Sequence, residues 1–179
     1  MGIHHIAFAT RDADATHRFY SEAMGFDLVK VEVGKIGKGW AKHLFYSTGS
    51  DRDQLIAFWD LHDETLPEDW SADISRGLGL APGVNHLAFS ADDLDDLARR
   101  RERWLANGCD VLEIDHDWCV SIYTEDPSGT VVEFCTLVRD FTEGDREKAL
   151  RLLAEPKPEL STGPKEQTHY KAADYRPTP

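Results

Sequence analysis

At 179 residues, 41% of them hydrophobic and 30% charged, the chain has material for one domain or two small fused modules and is not a disordered polymer. Its 33 acidic against 20 basic residues give a formal charge of −13, which excludes the basic footprint that nucleic acid or an anionic membrane surface requires. No apolar run approaches the roughly 18 residues needed to span a bilayer, no basic-then-apolar leader opens the chain, and three cysteines without zinc-ribbon spacing give no disulfide framework, so a reduced, cytoplasmic protein is expected.

Residues 3–9 alternate and are rich in β-formers, the pattern of a strand. Thr16, Phe19, Tyr20 and Ala23 recur at helical spacing over 12–24, and Gly25 follows where a left-handed cap is expected. Three short strands are predicted near 26–33, 39–48 and 54–60. Residues 61–82 carry Pro67, Gly77, Gly79 and Pro82, as a linker does. The pattern then restarts with a strand at 84–90 and a helix at 92–106, with Leu94, Leu97, Arg101, Trp104 and Leu105 on one side. Asp92 and Asp93 in its first turn and Arg99, Arg100, Arg101 and Arg103 later complement the helix dipole. Strands near 109–115, 117–124 and 130–137 follow. After residue 140 a short helix around 145–154 precedes a proline-rich tail, an arm lying over the surface or over a partner subunit.

The restart is a repeat. His5-Ile6-Ala7-Phe8 is matched by His86-Leu87-Ala88-Phe89, and Ala23-Met24-Gly25-Phe26-Asp27-Leu28 by Ala106-Asn107-Gly108-Cys109-Asp110-Val111. The fold class is therefore α+β: two tandem βαβββ modules, at 1–60 and 83–139, joined by the 61–82 linker and followed by a C-terminal helix and extended tail over 140–179.

Eight histidines cannot all be ligands. Alternation along the first strand puts His4 with bulky Ile6 and Phe8, and His5 with Ala7 and Ala9. In the second copy His86 lies with Ala88 and Ser90, while Leu87 and Phe89 take the bulky face. Equivalent histidines on small-residue faces point to a shared cavity, with His5 rather than His4 as its member. Glu133 falls with Val131 and Cys135 on an otherwise apolar face, where a carboxylate is costly unless it is paired or binds a cation. Its counterpart in the first copy is Ala57. Two-fold packing of the copies brings positions 5, 57, 86 and 133 together. Two imidazoles and one carboxylate are the ligand set of non-haem Fe(II) oxygenases, and the set also admits Mn(II), Zn(II), Co(II) or Ni(II).

The turn Asp126-Pro127-Ser128-Gly129 fixes where the strand bearing Glu133 begins. With the paired modules it resembles the vicinal oxygen chelate superfamily (glyoxalase, bleomycin resistance and dioxygenase proteins) from residue 3 to about 138. That resemblance implies a cup-shaped mixed sheet around a divalent metal. A longer pattern is Ile114-x-His116, five residues, Ile122-Tyr123, two residues, Asp126-Pro127-x-Gly129, three residues, Glu133. It resembles the signature of type I extradiol ring-cleavage dioxygenases, in their one-domain branch, which open catechols using Fe(II) and O₂.

By that resemblance His5, His86 and Glu133 hold the metal, Fe(II) first and Mn(II) or another divalent ion as the alternative. His116 and Tyr123 are then the catalytic hydrogen-bonding pair. A small aromatic substrate and O₂ are the implied partners, and a homodimer or higher homo-oligomer the implied assembly. Trp40, Phe45, Tyr46 and Trp118 are expected pocket walls. Where larger members carry an acid–base histidine the chain reads Asp51-Arg52-Asp53-Gln54, which leaves Asp53 or His43 for that part. Three other readings share the scaffold. A glyoxalase-like isomerase lacks a fourth ligand at Ala57, a fosfomycin-type thiol transferase lacks Lys or Arg within 114–137, and a metal-free drug-binding protein needs no triad.

Overall fold

In the computed structural model, which describes residues 3–49, 54–161 and 163–177, the repeat is written into the strand pairing. The first unit runs β1 (His5–Thr10), α1 (Ala13–Arg18), a π-helical turn over Phe19–Ala23, β2 (Asp27–Ile36), β3 (Gly39–Ser47) and β4 (Leu55–His62). Its sheet has the order β1-β4-β3-β2, with β1 parallel to β4 and the other pairs antiparallel. The second unit runs β5 (His86–Ser90), α2 (Leu94–Ala106), β6 (Val111–Asp115), β7 (Cys119–Glu125) and β8 (Val131–Leu137). Its order begins β5-β8-β7-β6, again with the first strand parallel to the last. The registers agree as well: Ala7 pairs with Ala57 and Ala88 with Glu133, so Ala57 and Glu133 hold equivalent places.

The same local chemistry starts both helices. Asp12 accepts the Ala15 amide at 2.8 Å, and Asp93 accepts the Asp96 amide at 2.7 Å. Gly25 and Gly108 close the two helical stretches at φ +76° and +80°, backbone that favours glycine. Tyr20, Phe26, Tyr46 and Phe58 of the first unit join Phe89, Leu97, Trp104 and Phe134 of the second in one apolar cluster. The Phe26 ring meets Phe89 edge-on at 5.1 Å.

One polar bond crosses this cluster. The Tyr20 hydroxyl donates to Asp126 Oδ2 at 3.0 Å, while Asp126 Oδ1 accepts the Ser128 and Thr130 amides. Burial holds the Asp126 carboxyl above its usual range, and burial together with the Asp126 charge holds the Tyr20 hydroxyl well above its own. Replacing Tyr20 with Phe therefore takes a donor from a buried carboxylate. We expect Tyr20→Phe to lower stability by about 1–3 kcal/mol, read as a fall in the thermal midpoint. An unchanged midpoint would show that this bond contributes nothing.

The segment between the units is more tightly held than its Pro and Gly content implies. Arg76 donates to Asp73 at 2.7 Å, to the Gly129 carbonyl at 3.0 Å and to Glu125 at 2.8 Å. It thereby buckles the turn that leads into β8.

Beyond the units, α3 (Glu143–Ala154) starts slightly before the apolar pattern does, because Thr142 and Asp145 form a reciprocal capping box. The tail departs from expectation. Glu166–Tyr170 is a strand, β9, paired antiparallel with β6 as the fifth member of the second sheet. Among the described residues no helix is long and apolar enough to cross a membrane.

Candidate metal centre

His86 enters the second sheet at the start of β5, and its Nδ1 lies 2.8 Å from the Gly83 carbonyl. A carbonyl only accepts, so Nδ1 carries a proton, and a neutral ring then presents a lone pair at Nε2. That Nε2 faces Glu133 Oε2 at 3.1 Å. Glu133 is 5% exposed and stands between Val131 and Cys135 on β8. Two facing acceptors need a proton or a cation between them.

A divalent cation fits the pair. At ligand bonds of about 2.0–2.2 Å, two ligands at right angles stand about 3 Å apart, close to the spacing found. The Gly83 bond is the outer hydrogen bond that fixes the ring of a metal-ligating histidine.

On β7, Tyr123 stands opposite Glu133. Burial pushes the Tyr123 hydroxyl up to about 12, with the Glu133 charge adding to it, so Tyr123 is a neutral phenol at physiological pH. The same two causes, burial first, push the Cys135 thiol up to about 11 and leave it unreactive as a nucleophile. His116 Nε2 lies 3.0 Å from the Tyr123 hydroxyl. A tight turn aims it there: Asp117 sits at φ +76°, its amide bonds Asp115, and the His116 amide bonds the Cys119 carbonyl at 2.9 Å. His86, Glu133, Tyr123 and His116 are therefore one connected group.

His5 is not in that group. It occupies the equivalent place on the first sheet, where its Nδ1 meets His4 Nδ1 at 2.8 Å and its ring packs against Phe45. Among the described residues no three of His, Cys, Asp and Glu are gathered closely enough to hold a metal. One chain thus brings together two of the three expected ligands and both expected catalytic residues.

His43 stands near His5, stacked on Trp59 at 3.7 Å, with Nε2 buried and unpartnered among the described residues. Burial, and then the neighbouring His5, hold its imidazole below the usual value. Asp53 lies outside the described residues. Of the expected walls, Tyr46 is excluded because it is fully buried in the core. Phe45 lies beside His5, Trp40 stacks on His62 at 3.8 Å, and Trp118 packs on Phe141. Arg76, which fixes the turn before Glu133, was hidden by the linker composition, although Asp73-x-x-Arg76 was its local signal.

Comparison with known proteins bears on the family and the fold. A 3-methylcatechol 2,3-dioxygenase of Pseudomonas putida is 26% identical over 148 residues, covering 79% of this chain and 44% of that protein. The chain thus spans less than half the length of that relative. Lactoylglutathione lyase from Agrobacterium tumefaciens shares the fold at a TM-score of 0.50 and 24% identity, covering 75% of this chain and 92% of that one. The fosfomycin resistance protein FosX of Listeria monocytogenes does so at 0.52 and 18%, covering 82% and 98%. The model of the Glyoxalase/Bleomycin resistance protein/Dioxygenase superfamily matches residues 2–134, and the chain belongs to that superfamily.

Proposed function

We propose that the protein is an Fe(II)-dependent extradiol dioxygenase, which opens a catechol ring beside its two hydroxyls and places both atoms of O₂ in the resulting semialdehyde acid. The observation that carries this reading is the connected group His86–Glu133–Tyr123–His116, in which a cation-ready imidazole–carboxylate pair adjoins a neutral phenol–imidazole pair. His86 and Glu133 would hold the metal; His5, the third ligand the resemblance implies, lies outside their group within one chain. When bound, the metal supplies a common template and an electron path for catechol and O₂.

The chain's own groups do the rest. Tyr123 donates a hydrogen bond to the catechol oxygen, and His116 at 3.0 Å accepts from or returns a proton to the Tyr123 hydroxyl. His43, whose imidazole neighbours His5, would take the acid–base part. Self-association belongs to the same reading. β2 is an edge strand bearing exposed Val29, Val31 and Val33, a surface for a second copy.

The test is direct. Protein loaded anaerobically with Fe(II), then given catechol in air, is expected to yield the visible-absorbing ring-opened product. Loaded protein that leaves catechol intact would contradict the reading and favour the isomerase or transferase chemistry of the fold relatives.

A further inference from the structure

We infer that β9 builds the far wall of the substrate pocket, and that His169 selects catechols whose apolar side arm ends in an uncharged hydrogen-bond acceptor. This rests on the dioxygenase reading above and extends it.

Residues directly opposite in adjacent strands share a face. Glu133 is opposite Tyr123, Tyr123 is opposite Leu112, and Leu112 is opposite His169, so the four form one row across the second sheet. At about 4.8 Å per strand, His169 is about 14 Å from Glu133 along that row.

The strand is fastened so that its orientation is fixed. Tyr170, the neighbour of His169, points to the opposite face, where the Arg101 guanidinium lies 4.6 Å over its ring. Arg101 is itself held by Glu113 at 2.6 Å. Lys171 and the Ala172 amide both bond Asp110. With Tyr170 clamped toward α2, His169 and Gln167 are presented on the face that carries Glu133.

A cavity of about 680 Å³, the size of a small-molecule site, is lined by Gly83, Leu112, Ile114, Tyr123, Val131 and His169. Its near end touches the metal-centre group through Tyr123 and through Gly83, the acceptor for His86. Leu112, Ile114 and Val131 make it apolar between the ends. At the far end the Gln167 side-chain amide is 3.1 Å from His169 Nε2. The amide nitrogen donates, so Nε2 accepts and His169 Nδ1 carries the free proton. Lys171, close to His169 on the chain, is paired with Asp110, so the far end offers a donor without net positive charge. An amide or ketone oxygen suits it better than a carboxylate.

The experiment measures KM and kcat of the Fe(II)-loaded full chain for catechol, a butylcatechol, and the butylcatechol whose chain ends in a carboxamide. Wild type is expected to show its lowest KM for the carboxamide. His169→Ala should raise that KM about five- to tenfold, the value of one hydrogen bond, while its KM for catechol and kcat for all three stay within about twofold. His169→Gln, which keeps a donor, should recover most of the loss, whereas a structural effect on β9 would move all three substrates together.

Equal wild-type KM values for the three catechols, or a His169→Ala shift shared by all of them, would overturn the inference while leaving the dioxygenase reading standing. Loaded wild type that cleaves none of them would overturn both.

Discussion

Glu133→Ala protein is expected to fold and yet to hold no metal and turn over no catechol. The carboxylate is 5% exposed and faces His86 Nε2 at 3.1 Å. Removing it leaves no oxygen donor beside the imidazole, and affinity for Fe(II) should fall by more than the roughly 10- to 100-fold lost with an outer hydrogen-bond partner. The metal-free protein gains what a buried charge costs, which offsets the small cavity left behind. Its thermal midpoint should therefore stay close to that of metal-free wild type. Metal content after anaerobic reconstitution and the Fe(II)-induced rise in midpoint read this directly, since a ligand that binds only the folded state stabilises it by mass action. A variant that keeps stoichiometric metal would show that the ligand set lies elsewhere.

His116→Ala should do the reverse: keep the metal and lose the rate. The described side-chain hydrogen bond that joins His116 to the group is the one to the Tyr123 hydroxyl, at 3.0 Å. Because burial keeps that hydroxyl neutral, it can donate to a substrate oxygen but needs a partner to settle or return its proton. Loss of a preorganised donor or its partner typically costs about 10²–10³ in kcat. We expect a fall in that range for His116→Ala and a similar one for Tyr123→Phe. The double variant should be little worse than either single one, because the two residues act as a unit. Metal content should be unchanged in all three. A full rate in His116→Ala would make His116 an ordinary turn residue between Asp115 and Asp117.

How far these residues were legible depended on the range of the information. The two βαβββ units were readable because each strand and helix is specified by its own periodicity, and because the His-Ile/Leu-Ala-Phe echo sets both copies in one register. The same alternation puts His86 with Ala88 and Glu133 with Val131, and the strand pairing sets those residues opposite one another, whereas Tyr123 enters only through the resemblance. Alternation cannot place one sheet against another, so it is silent on how far His5 lies from Glu133. Phe45 and Tyr46, both expected as pocket walls, are neighbours on β3. Alternation allows only one of them to face the site, and Tyr46 went to the core. The fifth strand was not legible, since Glu166–Tyr170 is short and its anchors, Arg101 and Asp110, are remote in the chain. Arg76 was missed for a similar reason: its partners at Glu125 and Gly129 belong to the opposite end of the second unit.

Oxygen uptake by anaerobically Fe(II)-loaded protein, with metal quantified on the same sample, decides whether this is a ring-opening dioxygenase. One O₂ is expected to be taken up per catechol opened, at a rate proportional to bound iron and absent without it. Stoichiometric iron with catechol present and no oxygen consumed would contradict it.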